Sequence, residues 1–191
     1  MRLIIVDGLD GVGKDTHAEL IKEKYEKSGE NVVVRSHPSS DNYFGKKAKK
    51  ALLGKSKIDK TKAAVFYMFD VLRSIRKYHN REDIDTLIMV RYLVGTAYLP
   101  EKLAKIAYRF FLNFVPTSKY MFFLDASPED LMKRFNERSE KEIFETKESL
   151  IKVRKKSLKL VRNWYIIDTS DSIKSTFKKI EKILIFLDKS R

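Results

Sequence analysis

Cysteine is absent from the 191-residue chain, tryptophan occurs once, and glycine and proline are sparse at 7 and 4. Without cysteine there is no disulfide scaffold, no Cys-ligated zinc site, no redox dithiol and no thiol nucleophile. No stretch approaches the ~18–20 apolar residues a bilayer span requires, and no basic-then-apolar leader precedes a small-residue cleavage site. Acidic residues are in deficit as well, 26 Asp+Glu against 40 Lys+Arg, for a formal charge of +14. What is present, 43% hydrophobic and 12% aromatic residues, suffices for one substantial core. The expectation is a soluble, cytoplasmic chain with no membrane partner, folded as a single domain over residues 1–191.

The positive balance attracts anions such as nucleotides, nucleic acid or acidic surfaces, although a lysine-rich solubilising surface explains it equally well. The basic blocks Lys46–Lys50 and Lys152–Lys159 are interrupted by apolar residues at helical spacing, which reads as solvated helix faces. No zinc finger, aromatic RNA-binding signature or basic zipper appears, so no nucleic-acid partner is expected.

Short β-branched or aromatic runs alternate with helical periodicities along the chain. Strands are predicted at Arg2–Asp7, Asn31–Arg35, Thr86–Val90, Tyr120–Asp125 and Trp164–Asp168. Helices are predicted at Thr16–Lys27, Phe44–Leu53, Thr61–Tyr78, Tyr92–Phe114 around Pro100, Lys133–Leu160 and Ser172–Leu187. A further start is marked by Ser127 at a cap position and Pro128 in the first turn. Ser36–Tyr43 reads as a loop. Repeated strand–helix–strand units imply a three-layer α/β domain, a five-stranded, mainly parallel sheet with helices on both faces.

Between the first strand and the first helix stands Gly8-Leu9-Asp10-Gly11-Val12-Gly13-Lys14-Asp15-Thr16, the context a P-loop requires. Its glycines let successive N–H groups converge on phosphate oxygens, the following helix adds the positive end of its dipole, and Lys14 can bridge the outer phosphates. A glycine-rich turn that binds nothing is the competing reading, disfavoured by that position. The motif calls for Ser or Thr directly after the lysine, where a hydroxyl meets Mg²⁺. Here Asp15 stands there and Thr16 follows. Asp15 and Thr16 are therefore the candidate metal ligands, hard oxygen donors being suited to Mg²⁺. The alternative role for Asp15 is to complement the helix dipole.

With that loop, three further blocks resemble the thymidylate kinase family of P-loop nucleoside monophosphate kinases, almost end to end. VDGLDGVGKDT is similar to the family's acidic-Gly-x-Asp-Gly-x-Gly-Lys-[Ser/Thr]-Thr, and the resemblance places Asp10 near the sugar of the acceptor. Tyr67-Met68-Phe69-Asp70-Val71-Leu72-Arg73 resembles the Phe-x-x-Asp-Arg helix that packs an aromatic on the base. Val71 replaces its arginine, with Arg73 and Arg76 nearby, and helical spacing alone reads Tyr67 and Phe69 as core. Val90-Arg91-Tyr92 through Ala97-Tyr98 resembles Asp-Arg-Tyr…Ala-Tyr-Gln, with Arg91 in the place of the arginine that holds the acceptor phosphate. Val90 replaces the carboxylate, and the Gln has no equivalent. Leu131–Arg138 through Phe144-Glu145 resembles the lid, about residues 134–148, with Arg134 and Arg138 as its transition-state arginines and Glu142-Ile143 where relatives carry Asp-Arg. Asp168-Thr169-Ser170-Asp171 matches the loop bordering adenine.

The resemblance implies reversible transfer of the ATP γ-phosphoryl group to a nucleoside monophosphate, dTMP by family, with ATP and Mg²⁺ as cofactors and a homodimer. Lys14, Arg91, Arg134 and Arg138 are then catalytic. Residues 8–16 and Asp168 bind ATP, while Asp10, Tyr67, Arg73, Arg91 and Tyr98 face the acceptor. Dimerisation points to the run Ile106–Leu112, which a buried core helix would match equally. The alternatives are a kinase for another nucleotide or nucleoside, and a divergent relative that binds nucleotide without catalysis.

Overall fold

The computed structural model describes residues 1–54, 56–98, 101–136 and 146–190. Five strands, β1 (Arg2–Gly8), β2 (Val32–Ser36), β3 (Thr86–Val90), β4 (Tyr120–Asp125) and β5 (Tyr165–Asp168), form one sheet in the order β2-β3-β1-β4-β5. Every pairing is parallel, with Val6 opposite both Val90 and Phe122. Parallel strands need crossover connections, and the helices supply them: α1 (Lys14–Glu26), α2 (Tyr43–Leu52), α3 (Lys57–Tyr78), α4 (Glu101–Phe114), α5 (Pro128–Asn136), α6 (Lys147–Leu160) and α7 (Ile173–Lys189), with a 3₁₀ turn at Val94–Tyr98. The chain builds one side of β1 with β3 and β2, then the other with β4 and β5. The carboxyl ends of the strands on both sides of β1 thus face one crevice, where open α/β sheets bind ligands.

The central strands are buried on both faces, which is why they read as unbroken apolar runs. The basic blocks are solvated as expected: Lys46, Lys47, Lys49 and Lys50 are exposed around buried Ala48. On α6 the apolar interruptions Val153 and Leu158 pack against the core, Val153 buried and Leu158 half-buried.

Two expected helices differ. Tyr92–Phe114 is not one helix, because Tyr92 and Leu93 are held by a buried carboxylate and the next five residues tighten into the 3₁₀ turn before α4. Lys133–Leu160 is likewise divided: α5 ends at Asn136, and α6 starts afresh with extended Thr146 accepting from the Ser149 amide. Phe69 is not core but exposed, stacking on Phe44 of α2. On α4 the expected apolar run is two-sided, with Tyr108 and Phe111 buried and Ile106 and Leu112 exposed.

Candidate active site

The turn between β1 and α1 is fixed by glycine. Gly11 has φ 82°, and a methyl there would sit 2.7 Å from the Phe135 ring of α5, so both conformation and space exclude a side chain. Gly13, at φ 83°, is the N-cap of α1 and provides no side-chain cap. The first-turn amides of α1 therefore remain available to an anion. Lys14 is buried, its ammonium donating to the Leu9 carbonyl and lying 3.4 Å from Asp10 Oδ1. Burial pulls its pKa below the ordinary lysine range, with Asp10 opposing that loss.

Across the crevice, β3 is followed directly by Arg91, a non-glycine residue in the left-handed region at φ 54°. Its Nη1 donates to both carboxylate oxygens of Asp15, at 3.1 and 2.8 Å, and to Ser36 Oγ at 3.0 Å. Its Nε lies 3.7 Å from Asp10 Oδ1. Ser36 in turn donates to Asp15 Oδ1 at 2.7 Å. Asp15 is exposed yet partly desolvated by its neighbours, which works to raise its pKa, but Arg91 and Ser36 prevail and hold it below the carboxylate norm. Asp15 thus has Arg91, just after β3, as its partner, while it stands in the first turn of α1, where its charge complements the helix dipole. Asp10, Lys14, Asp15 and Arg91 form one cluster, which the sequence blocks separate by more than seventy positions.

Arg91 is held by a device that sequence reading missed. Asp7, at the end of β1, accepts from the amides of Tyr92, Leu93 and Val94 at 2.9, 2.8 and 3.0 Å. Burial raises the Asp7 pKa, and the three amides and Lys14 oppose the rise. The available signal was an acidic residue ending an apolar strand. Tyr67 of α3 packs against the core, as its spacing suggested, and its hydroxyl donates to the Arg91 carbonyl. Burial lifts its pKa well above the ordinary tyrosine range. Beside it, His37 is buried between the Val90 carbonyl (Nδ1, 3.2 Å) and Ser74 Oγ (Nε2, 2.9 Å). The carbonyl fixes the proton on Nδ1, and burial lowers the His37 pKa to about 4. Val71 and Val90 are fully buried. Arg73 is half-buried on α3 with Nη1 lacking a partner, and it is not among the groups that hold Arg91. Tyr98 closes the 3₁₀ turn, its side chain outside the described residues.

On the other flank of the loop, Arg134 of α5 donates to the Gly11 carbonyl at 3.0 Å and to the Thr169 carbonyl, bridging the loop to the segment after β5. A cavity of about 300 Å³ opens there, lined by loop residues 11–13, Thr16, His17, Arg134, Thr169 and the start of α7. Asp168 turns away to Ser170, whose amide and hydroxyl it accepts. Arg154 of α6 grips Asp125 at the end of β4 through two bonds of 2.8 and 2.7 Å, an anchor that sequence reading also missed. Arg138 and Glu142-Ile143 lie outside the described residues.

A family model described as thymidylate kinase matches residues 6–180. The chain belongs to the thymidylate kinase family. Several relatives match over nearly the full length. A protein of Saccharolobus solfataricus named "Probable thymidylate kinase 1" is 30% identical over 193 residues, 96% of each chain. One of Methanococcus aeolicus named "Probable thymidylate kinase" is 27% identical over 194 residues, covering 96% of this chain and 94% of its own. Among solved structures, the thymidylate kinase of Candida albicans superimposes with a TM-score of 0.77 at 16% identity, over 98% of this chain and 92% of that one. Family membership makes the chain an ATP-dependent phosphotransferase and agrees with its all-parallel P-loop α/β fold. No helix among the described residues is long and apolar enough to cross a membrane.

Proposed function

We propose that this chain transfers the γ-phosphoryl group of ATP reversibly to a nucleoside monophosphate, dTMP by family, with the residues above in named roles. One observation carries the assignment of roles. Lys14 of the phosphate loop and Arg91 just after β3 approach the same Asp10 carboxylate, at 3.4 and 3.7 Å. Two cations within reach of one point can hold donor and acceptor phosphates end to end. Phosphoryl transfer asks for little else from a protein than such alignment and charge stabilisation.

In this reading the amides of loop 8–13 and of the first α1 turn cradle the ATP phosphates, and Lys14 leaves the Leu9 carbonyl for the outer phosphates. Arg91 exchanges Asp15 for the acceptor phosphate, an exchange of one anion for another at a preformed guanidinium. An acceptor phosphate oxygen attacks the γ-phosphorus, and the bond from that phosphorus to the bridging oxygen of ADP breaks. The acceptor is already anionic, so no general base is needed, and the absence of a carboxylate at Val90 is compatible with turnover. Asp15 and Thr16, hard oxygen groups in the exposed first turn of α1, fit Mg²⁺, which takes few protein ligands beside phosphates and water. When bound, Mg²⁺ would neutralise charge on the β- and γ-phosphates. Arg134 borders the donor side of the loop, and the lid, with Arg138, would close over it. The exposed side of α4, with Ile106 and Leu112, is the face offered to a second copy in a homodimer.

A second acceptor class is favoured by one observation: Val71 and Val90 are apolar and fully buried at the two positions where the family pattern resembled by this sequence has an arginine and a carboxylate. A site lacking those groups loses discrimination between bases. Coupled ADP release from Mg-ATP across a panel of monophosphates tests the reading. Turnover with dTMP, reduced on the order of 10²–10³-fold in Lys14→Ala, is the expected result. Turnover with another monophosphate alone selects the second class, and none with any acceptor refutes the enzyme.

A further inference from the structure

The guanidinium assigned to the acceptor phosphate already holds an anion of the protein's own. Arg91 Nη1 donates to both carboxylate oxygens of Asp15 and to Ser36 Oγ, and Ser36 donates back to Asp15 Oδ1, so three side chains close into a ring. Two carboxylate oxygens at one guanidinium offer what a phosphate would offer. An acceptor must therefore displace Asp15 before it can use Arg91. The same carboxylate stands directly after Lys14, where the phosphate-loop pattern has a serine or threonine that meets Mg²⁺. Its side chain is 56% exposed, against 32% for Arg91, so it can leave the pair without unpacking any core residue. A serine there would be neutral and would leave Arg91 open. With aspartate, both oxygens are engaged by Arg91, and each one given to a metal ion is one withdrawn from the guanidinium.

We propose that Asp15 couples the two substrates, turning from Arg91 to the metal when Mg-ATP fills the loop and so opening Arg91 to the acceptor phosphate. The inference rests on the roles given above to the phosphate loop and Arg91, and deepens them by stating how one site controls the other. A site whose competent state is only partly populated binds more weakly by that fraction. An ion pair as exposed as this one holds the acceptor back by roughly two- to fivefold. Linkage makes the effect reciprocal: an acceptor phosphate on Arg91 frees Asp15 and tightens Mg-ATP by the same factor.

The test is calorimetric titration of dTMP into wild type, Asp15→Ser and Asp15→Asn. Each protein is measured alone in EDTA, then saturated with the β,γ-methylene analogue of ATP, with EDTA or with Mg²⁺. Asp15→Ser restores the hydroxyl of the pattern and removes the carboxylate, whereas Asp15→Asn keeps the shape and removes the charge. Melting temperatures are recorded for both, and if one is destabilised the other carries the comparison. In EDTA without nucleotide, the variants should bind dTMP roughly two- to fivefold more tightly than wild type. Wild type should gain that factor when Mg²⁺ and the analogue are present together, and none from the analogue in EDTA. Neither variant should gain it. Equal affinities of the three unliganded proteins, no gain in wild type, or the full gain in both variants would overturn the coupling and leave the phosphate loop and Arg91 in their roles. If wild type binds no analogue, or no dTMP in any state, those roles fall and the coupling with them.

Discussion

His37 shows how one residue ties the chemistry of a site to pH. Its Nδ1–H donates to the Val90 carbonyl and its Nε2 accepts from Ser74, so the ring is neutral and fully engaged. The folded pKa of about 4 lies below the unfolded 6.5. The unfolded chain therefore binds more protons between those values, and stability falls as pH drops from about 6.5 toward 4. Denaturant unfolding at pH 7 and pH 4.5 should show His37→Asn losing clearly less stability on acidification than wild type; equal losses would deny His37 the role. None of this was legible in the sequence, where His37 sits in a Ser- and Pro-rich loop without periodicity. Lys14 was legible, because phosphate binding forces a local pattern on consecutive residues. Ser36 was not, because its partners Asp15 and Arg91 come from two other segments.

At the scale of elements, β3 and β4 begin and end where their apolar runs do, and α5 starts at the Ser127-Pro128 signal, with Ser127 Oγ accepting from the Asp130 amide at 3.0 Å. The 3₁₀ turn was hidden for a physical reason. Its entry is dictated by Asp7, some 85 positions earlier, gathering three consecutive amides. Helical spacing within residues 92–98 carries no trace of that distant acceptor. Asp7→Ala would leave three buried N–H groups without it. The expected cost is about 3 kcal/mol or more, read by urea unfolding, together with a raised KM for the monophosphate as Arg91 loses its anchor. A variant with wild-type stability and KM would show that the turn holds without Asp7. Val71 belongs to the same scale: it lies on the buried face of α3 and packs into the core.

Across the whole molecule the two ends of the sheet do different work. At the amino end, Asp188 of α7 accepts from Arg2 at 3.1 Å and from the hydroxyls of Tyr25 and Tyr120, each at 2.9 Å, while Arg2 also pairs with Glu30 at 2.6 Å. This network ties the last helix to the first strand, far from the phosphate loop. Asp188→Ala should lower stability by about 2–4 kcal/mol yet leave the KM values for ATP and monophosphate within about twofold, measured well below the melting transition. A large change in KM would show that the ends are coupled. At the carboxyl end, Lys14 and Arg91 converge on Asp10, and everything said of mechanism depends on that meeting. The most direct measurement follows the phosphorus itself: ATP labelled at the γ-phosphate is incubated with the protein, Mg²⁺ and dTMP, and the products are separated. The account predicts label in dTDP, abolished in Lys14→Ala and sharply reduced in Arg91→Ala. Label released only as inorganic phosphate, or transfer undiminished in Lys14→Ala, would contradict it.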